Sequence, residues 1–182
     1  MKLLMEYANK HNIILQINEK KENGWSPLLS SANNTDVNNT EIVKLLMKYA
    51  DEHNIILQIN EKIDFGNNSL HSSIDHNNIA MVKLLMKYAN EHSIILDVNE
   101  SNSNEINPFI LSIGNDNIEI VKLLMEYANE HHIILNINEK NRDGWSPLLT
   151  ATAINVNNIE IVKLLMEHAN ERHIILEINE KK

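Results

Sequence analysis

Ile118-Glu119-Ile120-Val121-Lys122-Leu123-Leu124-Met125-Glu126-Tyr127-Ala128-Asn129-Glu130 decides how this chain is read, because it recurs along the chain. Its core, Lys-Leu-Leu-Met, stands at Lys2, Lys44, Lys83, Lys122 and Lys163, at intervals of 42, 39, 39 and 41 residues. Self-similarity at such a period means stacked structural units. In the copy from Glu41 to Tyr49, apolar residues fall at Ile42, Leu45, Leu46 and Tyr49. That is the i, i+3, i+4, i+7 stripe of an amphipathic helix, taken as the second helix of each unit. After each copy comes a second matching block, as in Ile133-Ile134-Leu135-Asn136-Ile137-Asn138-Glu139-Lys140, with counterparts at Glu19, Glu61, Glu100 and Glu180. Its β-branched residues suit extended chain, and the polar tips with Gly24, Gly66 and Gly144 predict a projecting hairpin or finger.

Upstream, Gly24-Trp25-Ser26-Pro27-Leu28-Leu29 and Gly144-Trp145-Ser146-Pro147-Leu148-Leu149 place a capping serine before a proline. The missing N–H of that proline costs nothing at the first helical position, so a short first helix starts there. Asn77-Asn78, Asp116-Asn117 and Asn157-Asn158 tolerate left-handed backbone and cap the next helix, so they mark tight turns between first and second helix.

Gly-Trp-Ser-Pro-Leu-Leu, then Ile-Glu-Ile-Val-Lys-Leu-Leu, then Ile-Asn resembles the ankyrin repeat, whose units read Gly-x-Thr-Pro-Leu-His-x-Ala-Ala, Glu-Ile-Val-x-Leu-Leu-Leu and Asp-Val-Asn. The resemblance covers the whole chain and implies an all-α repeat solenoid of helix-turn-helix pairs with projecting finger or β-hairpin loops. An ordinary unit has about 33 residues. A constant insert between second helix and finger, with short extra segments between Leu28 and Ile42 and between Leu148 and Ile161, accounts for the longer period. The family's threonine is Ser26, Asn68, Asn107 and Ser146 here, its histidine survives only as His71, and the finger glycine becomes Glu105. The finger holding Glu105 is therefore expected to be irregular. Counted finger to finger, the expected units are a partial one at 1–20, then 21–62, 63–101, 102–140 and 141–182. Neither end carries a polar cap, so the chain is expected to be an excerpt of a longer array, with end-to-end self-association open to its uncapped termini.

Composition excludes several functions. A net charge of −9 repels phosphate backbones and anionic lipid, so nucleic acid and membrane are not expected partners. No cysteine is present, which removes disulfides and thiolate zinc sites. The apolar run at Met1-Lys2-Leu3-Leu4-Met5 is too short for a signal core, and the chain is read as soluble and intracellular. Asn occurs 30 times and Ile 26 times, a bias that nucleotide composition explains without function.

His11, His53, His92 and His131, with Arg172 fifth, form a ladder that invites a metal reading. Stacked helices lie roughly 8–10 Å apart, whereas zinc needs its ligand atoms within about 2 Å of one centre, so no metal is assigned. Glu130-His131-His132 lacks a ligand at i+4, and no phosphate loop, nucleophile elbow or paired-acid motif is present. The chain is accordingly read as no enzyme and as needing no cofactor. Tyr7, Tyr49, Tyr88 and Tyr127, with His168 last, sit on the apolar stripe, which favours packing over a partner-facing aromatic row. The row Glu19, Glu61, Glu100, Glu139 and Glu180 beside Lys20, Lys62, Lys140 and Lys181 is a solvated face whose charges pair weakly. Asn18, Asn60, Asn99, Asn138 and Asn179 are read as turn formers bonding local backbone.

Positions that differ between units are where a partner would be chosen. Trp25 and Trp145 stand where other units have Asn67 and Ile106, so either an indole covers a neighbouring finger or it meets a partner. Phe65 replaces Asn23, Asn104 or Asp143 at a finger tip, where burial is hard to arrange. The resemblance implies a protein-binding module in which fingers and first helices form a concave surface. Its candidate contacts are Glu22, Asn23, Trp25, Asn33, Asn34, Phe65, Asn67, Ile106, Arg142 and Trp145, the protein partner being unspecified. The alternative is a structural spacer within a larger multidomain protein, favoured by the sameness of the units.

Overall fold

The computed structural model describes residues 1–34, 39–154 and 159–177, the side chain of Ile154 excepted. The readings at Asn157-Asn158, Asn179, Glu180 and Lys181 lie outside them. The described residues form helices and turns with no strand, in two compact halves, Met1–Leu96 and Asp97–Lys182.

The N-terminal half holds α1 (Lys2–Lys10), α2 (Pro27–Ala32), α3 (Asn39–Glu52), α4 (Ser69–Asp75) and α5 (Ile79–Glu91). The short α2 packs on α3, and α4 on α5; like helices then stack, α2 on α4 and α3 on α5. The C-terminal half repeats this scheme with α6 (Pro108–Gly114), α7 (Ile118–Glu130), α8 (Pro147–Ile154) and α9 (Ile159–Glu171). Short first helices start where a polar side chain caps them: Ser26 Oγ accepts from Leu29 N (3.2 Å), Asn107 Oδ1 from Ile110 N (2.8 Å) and Ser146 Oγ from Leu149 N (3.2 Å). Asn68 Oδ1 accepts from Leu70 N and His71 N, and it meets the buried His71 ring at 2.9 Å. The tight turns are as the sequence predicts. Asn77 and Asp116 have φ of 52° and 55°, and the next asparagines, Asn78 and Asn117, cap α5 and α7 through Met81 N and Ile120 N.

The buried stripe of α3 differs in phase from the expected one. Val43, Leu46, Met47 and Ala50 are buried along with Tyr49, while Ile42 and Leu45 are half-exposed. The reason is that α3 meets two elements at once, α2 and α5, so its covered arc is wider than a single stripe and turned from its centre.

Each second helix ends in a Schellman motif. After α1, Ile13 N donates to Ala8 O (2.9 Å) while Asn12 takes φ 55°; Asn54, Ser93, His132 and His173 do likewise after the later second helices. The insert then runs extended, and its two-residue alternation sorts the side chains: Leu57 and Ile59 are buried, Ile56 is exposed, and Leu96 and Val98 against Ile95 repeat the pattern. The fingers close by turn hydrogen bonds in place of a strand ladder. Lys21 N donates to Trp25 O (3.0 Å) and Gly24 N to Lys21 O (2.9 Å), with the same pair at Ile63–Asn67 and Asn141–Trp145.

The finger holding Glu105 is regular, contrary to expectation. Glu105 N donates to Asn102 O at 2.9 Å and Glu105 takes the left-handed φ of 59° itself. Asn102 Oδ1 accepts from Asn104 N (2.9 Å) and Ile106 N (3.1 Å) and so holds the turn, as Asn141 Oδ1 does in the finger that keeps its glycine.

Gly24 and Gly144 share a φ of 83° but differ in surroundings. A Cβ on Gly24 would lie 2.8 Å from Lys62 O and 2.9 Å from Ile63 Cα, backbone of the next finger, whereas one on Gly144 meets nothing within 4 Å among the described residues. Gly144→Ala should therefore cost about 1–2 kcal/mol of left-handed strain. Gly24→Ala should cost about 1–3 kcal/mol more, because backbone must shift. Urea unfolding of the two variants checks this, and a loss for Gly24→Ala no larger than the left-handed strain of about 1–2 kcal/mol would contradict the close approach.

Candidate functional site

The ladders belong to the scaffold, and once they are placed the candidate contact residues stand apart from them. Tyr49 and Tyr88 are buried, and their hydroxyls reach back to the preceding insert. Leu15 N donates to Tyr49 Oη and Leu57 N to Tyr88 Oη, both at 3.0 Å. Burial pushes the Tyr88 phenol above its ordinary pKa of 10.0, so the hydroxyl keeps its proton and stays a neutral hydrogen-bonding group. The histidines are C-cap residues whose rings lie on the tyrosine four positions earlier, 4.2 Å apart for Tyr49 and His53 and 4.1 Å for Tyr88 and His92. Their Nε2 atoms also reach back, His53 to Asn9 Oδ1 and His92 to Asp51 Oδ1, each at 3.0 Å. Arg172 meets Asn129 in the same way. Among the described residues no three His, Asp or Glu side chains gather as a metal ion would need.

The asparagine row is structural but not local, which corrects the sequence reading. Asn18 Nδ2 donates to Ile56 O (2.8 Å) and its Oδ1 accepts from Gln58 N (3.3 Å), so one side chain bridges two backbone groups of the next insert. Asn99 does the same with Ile134 and Asn136, Asn138 with Ile175 and Glu177, and Asn60 Nδ2 reaches Ile95 O. An extended insert outside any sheet leaves backbone groups without ladder partners, and the asparagine amide, with donor and acceptor side by side, satisfies two of them. The charged row pairs as expected at Lys20–Glu61.

Of the candidate contacts in the N-terminal half, Glu22, Asn23, Asn33 and Asn34 are exposed, while Trp25 and Asn67 are half-buried. Phe65 projects from its finger tip with 72% of its surface exposed. The larger groove of this half, 560 Å³, is lined by the insert Ile56–Lys62 with Ile94 and contains none of these candidates.

In the C-terminal half two candidates meet. Ile106 and Trp145 line a cleft of 230 Å³ together with Ile110, Leu111, Gly114, Asn141 and Thr150. The fingers place them there. Asn102 Oδ1 accepts from Ile106 N, Asn141 Oδ1 accepts from Trp145 N (2.9 Å), and Arg142 N ties the second finger to Asn104 O of the first (3.1 Å). Trp145 remains 40% exposed, so its indole is not absorbed by the finger beside it. The Arg142 side chain is exposed. Sequence reading missed Ile110, Leu111 and Gly114. They lie on a first helix, where apolar residues read as core, and only Gly114, aligned with Asn33, Asp75 and Ala153, carried a signal. No helix among the described residues is long and apolar enough to cross a membrane.

A family model described as ankyrin repeats (3 copies) matches residues 1–95 and again residues 91–175. No curated protein matches the chain.

His168 closes the tyrosine ladder, and it is the weak rung. It is 3% exposed, its Nε2 has no hydrogen-bond partner among the described residues, and burial, reinforced by Arg172, lowers its pKa below the ordinary 6.5. The unfolded chain therefore takes up the proton first as pH falls. The stability contributed by neutral His168 is complete above pH 6.5 and is lost below it, toward the depressed folded value. His168→Tyr should remove this acid-dependent loss and stabilise the chain by about 1 kcal/mol if the hydroxyl accepts a backbone N–H as Tyr49 and Tyr88 do. Urea midpoints at pH 8 and pH 5 for both chains check it, and parallel pH profiles would contradict it.

Proposed function

Since the chain belongs to the ankyrin-repeat family, whose members generally serve as protein-interaction modules, we propose that it captures a protein partner through its fingers and first helices. The proposed units are 1–20, 21–62, 63–101, 102–140 and 141–182. The observation that carries the reading is the division of labour among residues. Repeated polar and aromatic side chains, such as Tyr49, Asn18 and His53, are spent on bonds to the preceding or following unit. Among the side chains that vary, Phe65 and Trp145 are left exposed. An exposed aromatic in polar surroundings is a common anchor of binding energy.

Glu22, Asn23, Trp25, Asn33, Asn34, Phe65, Asn67, Ile106, Arg142 and Trp145 are the proposed contacts. A spacer would have no use for an indole and a phenyl ring held in water. The family is typically non-catalytic, and among the described residues the repeated side chains serve as caps and inter-unit bonds.

Phe65→Ala and Trp145→Ala should each weaken retention of a captured partner at least about tenfold, the loss of a binding anchor, with nearly unchanged melting curves. Quantitative affinity capture from native lysate, run with the intact chain and both variants, measures this. Equal retention by all three would remove these anchors, and no saturable retention by the intact chain would favour the spacer.

A further inference from the structure

The cleft between the fingers of the C-terminal half is small, apolar and open. Its walls are Ile106, Ile110, Leu111 and the Trp145 indole. Its 230 Å³ falls below the roughly 300–1,000 Å³ of small-molecule sites, a size suited to one side chain. Of the polar atoms at its edge, Asn141 Oδ1 and Thr150 Oγ1 already have partners. Asn141 Oδ1 accepts from Asp143 N and Trp145 N, and Thr150 Oγ1 donates to Ser146 O (2.8 Å). An occupant would therefore be recognised by shape and carbon contact.

Gly114 is the second observation. It is the last residue of α6, and among the described residues a Cβ there would meet nothing within 4 Å. The aligned positions in the other first helices hold Asn33, Asp75 and Ala153, so the fold accepts a side chain at this place. Glycine in a helix gives up stability relative to alanine, and here the space left vacant belongs to the cleft.

Charge supplies the third. Residues 97–182 hold 14 Asp and Glu against 7 Lys and Arg, so this half carries −7 of the chain's −9. Glu100, Glu105, Glu139 and Asp143 stand on the two fingers that carry Ile106 and Trp145, against the bases Lys140 and Arg142. A segment entering here approaches through negative potential, which favours basic flanks.

We propose that this cleft seats a single aliphatic or aromatic side chain of a partner segment whose neighbouring residues are Lys or Arg. The proposal rests on the interaction-module reading above and names the chemistry of its partner.

Gly114→Leu tests it, because the added side chain fills the cleft from within while the melting temperature stays equal or rises. Random short peptides are selected on the full chain and then titrated against it in a Trp25→Phe background, where Trp145 is the only indole. The expected peptides share one large apolar residue flanked by Lys or Arg, and they shift the Trp145 emission to the blue. They lose at least about tenfold in affinity on Gly114→Leu or when the peptide's apolar residue becomes Ala, and they weaken with salt. Peptides that bind the Gly114→Leu chain equally well overturn the cleft but leave the interaction module standing. Selected peptides with acidic flanks or no apolar residue overturn the partner chemistry. Failure to select any peptide overturns the proposal, and the lysate capture then decides separately whether the module reading falls with it. Self-association of the chain that Gly114→Leu abolishes overturns it in favour of a second copy.

Discussion

A phenol hydroxyl that accepts the backbone N–H of the preceding insert is the interaction on which the rest depends. The insert that lengthens each unit is extended chain outside any sheet, and its backbone groups would be left unpaired beneath apolar neighbours. Tyr49 and Tyr88 reach back to Leu15 and Leu57, and Asn18 reaches forward to Ile56 and Gln58. Each unit thus satisfies backbone that another exposes, along an insert where Leu57 and Ile59 are buried. In a repeat architecture such nearest-neighbour terms carry most of the stability.

That dependence also explains why the repeated residues offer little to a partner. His53 and His92, which read as a ladder of ligands in one dimension, are C-caps lying on tyrosine rings and bonded to Asn9 and Asp51. The recognition we propose falls to the finger and the face of the first helix, where main-chain turns and capping residues hold Ile106 and Trp145 side by side along one cleft.

Much of this was legible in the sequence. The Ser-Pro helix starts, the Asn77-Asn78 and Asp116-Asn117 turns and the packing role of the tyrosines come from local rules of capping, left-handed backbone and periodicity. Three features were not. The buried arc of α3 is set by two neighbours at once, which a single-helix stripe cannot express. Asn18 and its equivalents bond across a whole unit, a distance of 38 residues between Asn18 and Ile56 that no local turn rule reaches. Glu105 showed only the missing glycine, and Asn102 holds that turn through side-chain bonds that its position alone does not declare. The candidate site was half-legible for a related reason: variation between units pointed to Ile106 and Trp145, while Ile110 and Leu111 looked like core until the open side of α6 was seen.

Hydrogen exchange at single amides reaches the central bond most directly. Replacing Tyr49 by Phe deletes one hydroxyl and leaves the ring, so exchange at the Leu15 amide should accelerate by about tenfold or more while the Leu57 amide, held by Tyr88, keeps its protection. Unchanged exchange at Leu15 would contradict the account, because the insert would then be held without the tyrosine of the next unit.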